Sequence, residues 1–299
     1  MGLIYLIENF INDTCVLSAN SEDGLYVLEN LYNVRPSLPY RSTGIGAVGS
    51  PEWVCIDLGT ASGVEYNVTF AGLFNHNLTA LGAAGDELRL KGCNDPCVSS
   101  GGCDWDNPDC EVDLTTMECA GTQPVADFRN LYHKISCAPG HRYWRLDVID
   151  QNNTDGYLEL GELVLGQWQR FPRGAVTGES SWVRLSPGRA DGPTFYMGKQ
   201  RTHYGQDWTT YYSESERFEL KLTTQNDPCI VDALHVFLRT VQQAGGRFVI
   251  MPDETKPFCY YVSVENLRDY AERLMYGATR ELREWRLELR TLTEGVRLL

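Results

Sequence analysis

Residues 142–168 read RYWRLDVIDQNNTDGYLELGELVLGQW, and this stretch decides the fold class. Trp144, Leu146 and Val148 alternate with Arg145 and Asp147. A period of two sends one set of side chains to a core and the other to solvent, which marks a half-buried strand. Asn152-Asn153-Thr154-Asp155-Gly156 interrupts the run with residues that tolerate turn conformations. Leu158, Leu160, Leu163 and Leu165 then resume it. The stretch therefore reads as a hairpin that closes a domain. It holds no nucleophile with a partnered base and no phosphate loop, so it predicts a β-sandwich built for contact rather than an enzyme.

Outward from this stretch, residues 53–59 (WVCIDLG) read as a strand ending at glycine, 66–74 as another and 88–92 as a third. Residues 35–42 (RPSLPYRS) are loop-like, and a cysteine-rich loop separates the third strand from the closing pair. Several short strands with frequent turn residues predict a sandwich over residues 1–168. Phe171-Pro172-Arg173-Gly174 carries breakers, so residues 169–178 are expected to form a linker. Residues 179–299 are mixed. Phe218, Leu220 and Leu222 alternate with charged neighbours as in a strand. Asp227-Pro228 opens a helix, with Asp at the N-cap and Pro at the first helical position. Ile230, Val231, Leu234, Phe237, Leu238 and Val241 give its apolar face, and Gly245-Gly246 ends it. Residues 248–250, 260–262 and 285–289 read as strands, while 270–284 suit a helix as well. The expected class is mainly β, a sandwich followed by a smaller α+β module.

The chain has 299 residues and a formal net charge of -14. Non-specific nucleic-acid binding is excluded, because phosphates need a basic face. Abundant Tyr, Phe and Trp suit β-structure and interfaces. The opening MGLIYLIENFINDTC lacks the basic region and cleavage site of a secretory signal, and Leu6 stands where myristoylation expects Ser or Thr. No apolar run has the length of a membrane-spanning helix. Synthesis in a host cytoplasm without membrane insertion is the expectation. Ten cysteines nevertheless argue for an oxidising compartment or a metal. A particle made in the cytoplasm and later released, such as a virion, satisfies both.

Five short motifs carry a resemblance: LPYRS at 38–42, WVCIDLG at 53–59, FNHNLT at 74–79, YWRL at 143–146 and GYLELGELVLG at 156–166. With them the first 168 residues resemble the galactose-binding-like, or discoidin-like, domains of tailed-bacteriophage virion proteins. That resemblance implies a jelly-roll β-sandwich whose loops at one end are available for contacts. RFEL at 217–220, the helix from Asp227, GRFVIMPD at 246–253 and WRLEL at 285–289 look like the C-terminal part of phage minor tail or distal-tail proteins. This implies a structural component of the virion tail tip or baseplate, needing no cofactor. Copies would form a ring that connects the tail tube to hub or fibres. The alternative is a carbohydrate-binding module or adhesin for host surface glycans. Its discriminating feature would be a cluster of exposed aromatics and carboxylates at one sandwich end.

Cys93, Cys97, Cys103 and Cys110 have enough thiolates for a tetrahedral zinc site but lack paired CxxC knuckles. Disulfides among Cys93, Cys97, Cys103, Cys110, Cys119 and Cys137, stapling a long loop into an exposed projection, are the preferred reading. Free thiols are the third. Cys15, Cys55, Cys137, Cys229 and Cys259 lie among apolar neighbours, where buried free thiols are the default. Asp104, Asp106 and Asp109 have oxygens for calcium but not EF-hand spacing, and a solvated loop is preferred. His76, between two asparagines, reads as a turn residue rather than a ligand contact. No HExxH or GxSxG motif occurs. Tyr204, Trp208, Tyr211 and Tyr212 form an aromatic segment expected at a subunit interface.

Overall fold

The computed structural model describes residues 4–6, 8–33, 35, 38–59, 66–79, 81, 84–94, 103–115, 130–137, 140–170, 182–187, 194–201, 207–215, 217–225, 228–251, 260–266, 272–276, 281–291 and 294–295. The chain divides into two compact units. One is Glu8–Trp168 with Thr255–Cys259; the other is Met1–Ile7, Gln169–Glu254 and Tyr260–Leu299. The division after Trp168 falls where the alternation ends. The first residues, however, go with the second unit: Ile4–Leu6 form β1, which pairs with strands far down the chain.

The first unit runs β2 (Val16–Ala19), a 3-10 turn (Leu28–Leu31), β3 (Tyr40–Arg41), β4 (Glu52–Asp57), β5 (Phe70–His76), β6 (Glu87–Cys93), β7 (Cys110–Asp113), β8 (Asn130–Lys134), β9 (Tyr143–Ile149) and β10 (Glu159–Gly166). They form a five-stranded sheet, β2-β4-β9-β6-β7, and a four-stranded one, β3-β10-β5-β8. All pairings are antiparallel. The result is a jelly-roll-type sandwich. Residues 142–168 are not a hairpin, though. β9 lies between β4 and β6, β10 lies between β3 and β5, and the polar turn crosses from one sheet to the other. Each strand is central in its own sheet, so its backbone groups are already paired on both sides and none remain for the other.

Trp144, Leu146 and Val148 face the core as their alternation requires. They join Val54, Ile56, Leu88 and Leu90 of the same sheet, with Ala71, Leu73, Leu163 and Leu165 from the opposite one. The other face of the five-stranded sheet is not simply solvated. Asp147 is 0% exposed and is ion-paired with Lys91 at 2.8 Å and with Arg145. The Arg145 guanidinium lies 5.2 Å from the Trp53 ring and 5.6 Å from that of Trp105. Trp105 belongs to the cysteine loop, which the Cys93–Cys103 disulfide ties to the end of β6. The described part of that loop therefore lies against the sheet and shields a charge pair, where a free projection was expected.

In the second unit, β11 (Gln169–Arg170), β12 (Trp182–Pro187), β13 (Thr194–Arg201), β14 (Asp207–Ser215) and β15 (Arg217–Gln225) precede α1 (Pro228–Gln243). β16 (Arg247–Met251), β17 (Tyr260–Val264), β18 (Glu272–Tyr276), β19 (Glu281–Thr291) and β20 (Glu294–Gly295) follow it. An eight-stranded sheet has the order β11-β1-β16-β17-β19-β15-β12, with β18 also on β19; β13-β14-β20 form a second sheet. The helix buries Phe237, Leu238 and Val241, and Phe237 meets Tyr5 of β1 and Phe248 of β16 edge-on. Gly245 and Gly246 end it at φ 69 and 82, conformations that cost glycine little. Two expectations change. The linker begins as β11, paired with β1, and its remainder, 171–178, lies outside the described residues. The ambiguous 270–284 segment supplies β18 and the start of β19.

Candidate ligand-binding site at one end of the sandwich

The FNHNLT motif builds this end. Asn75 takes φ 54, which asparagine tolerates better than most side chains. The His76 ring Nδ1 accepts the Leu78 N–H at 3.2 Å, so His76 is a turn residue. Asn77, 5% exposed, is the hub. Its Nδ2 donates to Asp155 Oδ2 and to the Tyr157 carbonyl, both at 3.0 Å, and its Oδ1 accepts the Glu159 N–H at 2.7 Å. Its own carbonyl accepts from Asn153 Nδ2 at 3.3 Å. Thr79 donates its N–H to Asp150 Oδ2 at 2.8 Å and its hydroxyl to Asp150 Oδ1. The polar turn between β9 and β10 is thus clamped by the turn after β5, and Tyr157 and Glu159 are fixed in place.

β3 brings the remaining pieces. Glu159 pairs with Arg41 in register, and Arg41 Nη2 donates to Glu159 Oε2 at 3.0 Å. The guanidinium sits 3.8 Å from the Tyr26 ring centroid and 4.2 Å from that of Tyr157. Stacking a guanidinium on an aromatic face gains from the ring quadrupole. Tyr26 is held by backbone bonds: its carbonyl accepts the Arg41 N–H at 3.0 Å, and its own N–H donates to Asp23 O at 2.7 Å. Burial works against the Arg41 charge, but Glu159, Tyr157 and Tyr26 outweigh it and raise its pKa. Beneath, the Tyr40 hydroxyl donates to Ser21 O at 2.7 Å, and burial, with Glu52 and Glu22, pushes its pKa far up. Both stacking tyrosines are partly exposed. Arg41 Nε is buried and makes no hydrogen bond among the described residues. Leu25 and Val48, 84% and 69% exposed, flank the same end.

This arrangement offers two aromatic rings, a guanidinium, carboxylates and an amide within a few residues' reach. It suits recognition of a ring bearing hydroxyl groups. Sequence reasoning placed Arg41 and Tyr157 in motifs without giving them a role, and it passed over Tyr26, which no motif marks.

The cysteines are arranged otherwise than a zinc site needs. Cys93 is bonded to Cys103 and Cys110 to Cys137, so Cys93, Cys103 and Cys110 are not thiolates and cannot act as a ligand set. Cys97 and Cys119 lie outside the described residues. Cys55, expected to be a free thiol, is also disulfide-bonded. Cys15 is free; burial raises its pKa, which leaves a poorly reactive thiol. Asp104 accepts from the Asp106 N–H and from Asn107 Nδ2, forming a turn. Among the described residues no group of three or more His, Cys, Asp or Glu could hold a metal, and no helix is long and apolar enough to cross a membrane. Trp208, Tyr211 and Tyr212 lie in β14, which pairs with β13 and β20; Tyr204 lies outside the described residues.

No family model and no curated protein sequence matches this chain. Among solved structures it is similar to the family 32 carbohydrate-binding module of NanJ from C. perfringens, in complex with galactose. That likeness has 12% identity, 52% of this chain, 94% of that chain and a TM-score of 0.34. It is also similar to the lectin binding domain of lectinolysin complexed with Lewis b, at 13% identity, 54% and 96% coverage and a TM-score of 0.35. A third is chitosan-binding module 1 from a chitosanase/glucanase of Paenibacillus sp. IK-5, at 14% identity, 54% and 99% coverage and a TM-score of 0.35. None of these three is a phage tail protein.

Proposed function

We propose that the first unit is a non-catalytic glycan-binding module. One observation carries the reading: the Tyr26–Arg41–Tyr157 column, with Glu159 and Asp155 beside it, stands at one end of the sandwich with its rings partly exposed. An aromatic ring covers the apolar face of a pyranose while neighbouring polar groups fix its hydroxyls. Glycan-array binding by the full chain tests this. Tyr26→Ala and Tyr157→Ala are each expected to weaken binding about tenfold, the equivalent of about 1.4 kcal/mol. An array without hits, or equal binding by the double variant, overturns it.

The tail-tip role rests on the sequence resemblance alone. As a proposal it places such a binder in a virion tail, with copies of itself in a ring and with tube, hub or fibre proteins as partners. Light scattering of the full 33.7 kDa chain reads this directly: a ring gives a multiple of that mass, and a monomer at high concentration counts against it.

A further inference from the structure

Arg41 decides how a sugar can reach the tyrosine column. Its Cζ lies over the Tyr26 ring, 3.8 Å from the centroid, and over the Tyr157 ring at 4.2 Å. That is van der Waals contact with both rings and leaves no room for a pyranose between ring and guanidinium. The guanidinium is held in place. Its Nη2 donates to Glu159 Oε2 at 3.0 Å, and its backbone is fixed by the pairing with Glu159 and by the bond to the Tyr26 carbonyl. Stacking on two aromatic faces adds to this hold. One face of each tyrosine is therefore closed to a ligand. The face each ring has left looks away from the guanidinium, and so away from the other ring.

Both sides of the column have open space. Gly24, two residues before Tyr26, and Gly156, next to Tyr157, are exposed, and a Cβ built on either meets no atom within 4 Å. The two rings also have separate anchors. Tyr26 is tied to Asp23 and Arg41 through its backbone, whereas the Tyr157 carbonyl is held by Asn77. We infer that the column is two sugar sites back to back, one on the outer face of Tyr26 and one on that of Tyr157, and that its ligand is a glycan presenting two terminal rings, as on a branched chain. The inference rests on the glycan-binding reading above. The ring centroids are at most about 8 Å apart, and a sugar stacked on each outer face adds about 4 Å, so the two bound rings lie at most about 16 Å apart. A ligand that spans this distance makes its second contact intramolecularly and gains avidity without any new contact.

The test is NMR titration of the full chain, carrying ring-labelled tyrosine, with the methyl glycosides of galactose, glucose, mannose, N-acetylglucosamine and fucose in turn. Tyr26→Phe and Tyr157→Phe assign the two signals and keep the stacking faces. For a glycoside that binds, both signals are expected to shift. Tyr157→Ala should leave the Tyr26 midpoint within about twofold of its original value, and Tyr26→Ala should do the same for Tyr157; the surviving titration also shows that each variant folds. A second measurement needs no variant. Two copies of the binding glycoside on a tether long enough to span both faces should bind the unaltered chain about 100-fold tighter than one copy. A tether too short to span them should gain no more than about twofold. A shift at only one ring, or a gain below about threefold with the long tether, overturns the two-site inference while leaving glycan binding intact. No shift at either ring with any of the five glycosides overturns both.

Discussion

Asn77→Ala should loosen the loop end of the sandwich more than any other single truncation there. The change removes a bond to the Asp155 carboxylate, one to the Tyr157 carbonyl and one from the Glu159 N–H. A hydrogen bond to a charged acceptor contributes about 1.5–3 kcal/mol and an uncharged one about 1 kcal/mol. The three together give about 3.5–5 kcal/mol, and water entering the truncated site returns part of it, leaving about 3 kcal/mol. The chain has two units, so a global unfolding free energy is poorly defined. Native-state hydrogen exchange of peptides covering residues 150–160 is the better assay. A loss of about 3 kcal/mol corresponds to about 150-fold faster exchange. Asn77→Asp keeps the acceptor for Glu159 but faces Asp155 with a like charge, so it should also exchange faster. A change of less than about threefold in Asn77→Ala would refute the view that this side chain fixes the turn carrying Tyr157.

Three further outcomes are expected. Gly46 has φ +75, and an added Cβ would lie 2.4 Å from the Val148 carbonyl, so Gly46→Ala should cost about 2–4 kcal/mol through strain and displacement of β9, seen as a lower melting temperature of the first unit. Asp57 accepts from Arg142 Nε and Nη2 at 2.6 and 2.7 Å. Burial alone would raise its pKa, but Arg142 and the Gly59 N–H lower it overall. The stabilisation is therefore present above the ordinary carboxylate range and lost as pH falls through the depressed value; an NMR titration showing Asp57 at or above its ordinary value would contradict this, and Arg142→Gln should bring it back up. Non-reducing peptide mapping should recover Cys93–Cys103 and Cys110–Cys137, which span 10 and 27 residues, and reducing either should cost about 3 kcal/mol, with unchanged melting in reductant the opposing result.

Much of the sandwich was legible because β-period alternation is local. Trp144, Leu146 and Val148 declared their face in five residues, and the helix announced itself through its apolar stripe and Gly245-Gly246. Sheet membership was not legible. Whether β9 and β10 pair with each other or with β4, β6, β3 and β5 depends on contacts up to more than a hundred residues apart, such as Arg41 with Glu159. β3 itself was read as loop because two residues carry no period. The outward charge of Asp147 predicted solvent, but burial followed from a loop tied down by a disulfide. The candidate site was illegible for the same reason: Tyr26, Arg41 and Tyr157 come from three separate segments, brought together by the Arg41 N–H on the Tyr26 carbonyl, the pairing of β3 with β10 and the clamp at Asn77.

The pairing of β1 has a consequence for how the chain is assembled. Tyr5 faces Gln169 on one side and Ile250 on the other, so the sandwich is spliced into a connection of the eight-stranded sheet. As an open loop of about 160 residues, that connection would cost about 4.5 kcal/mol to close. The folded sandwich brings its own ends side by side, with Phe10 N–H on the Leu165 carbonyl at 2.7 Å. The remaining slack is about ten residues, which lowers the closure cost by about 2–3 kcal/mol. During synthesis the sandwich has all its strands once Gly166 has emerged, while β1 waits for its partner β16, which follows the whole sandwich in the chain. Damage to the sandwich is thus passed on: a lesion that keeps it open also withholds β1 from the sheet that needs it.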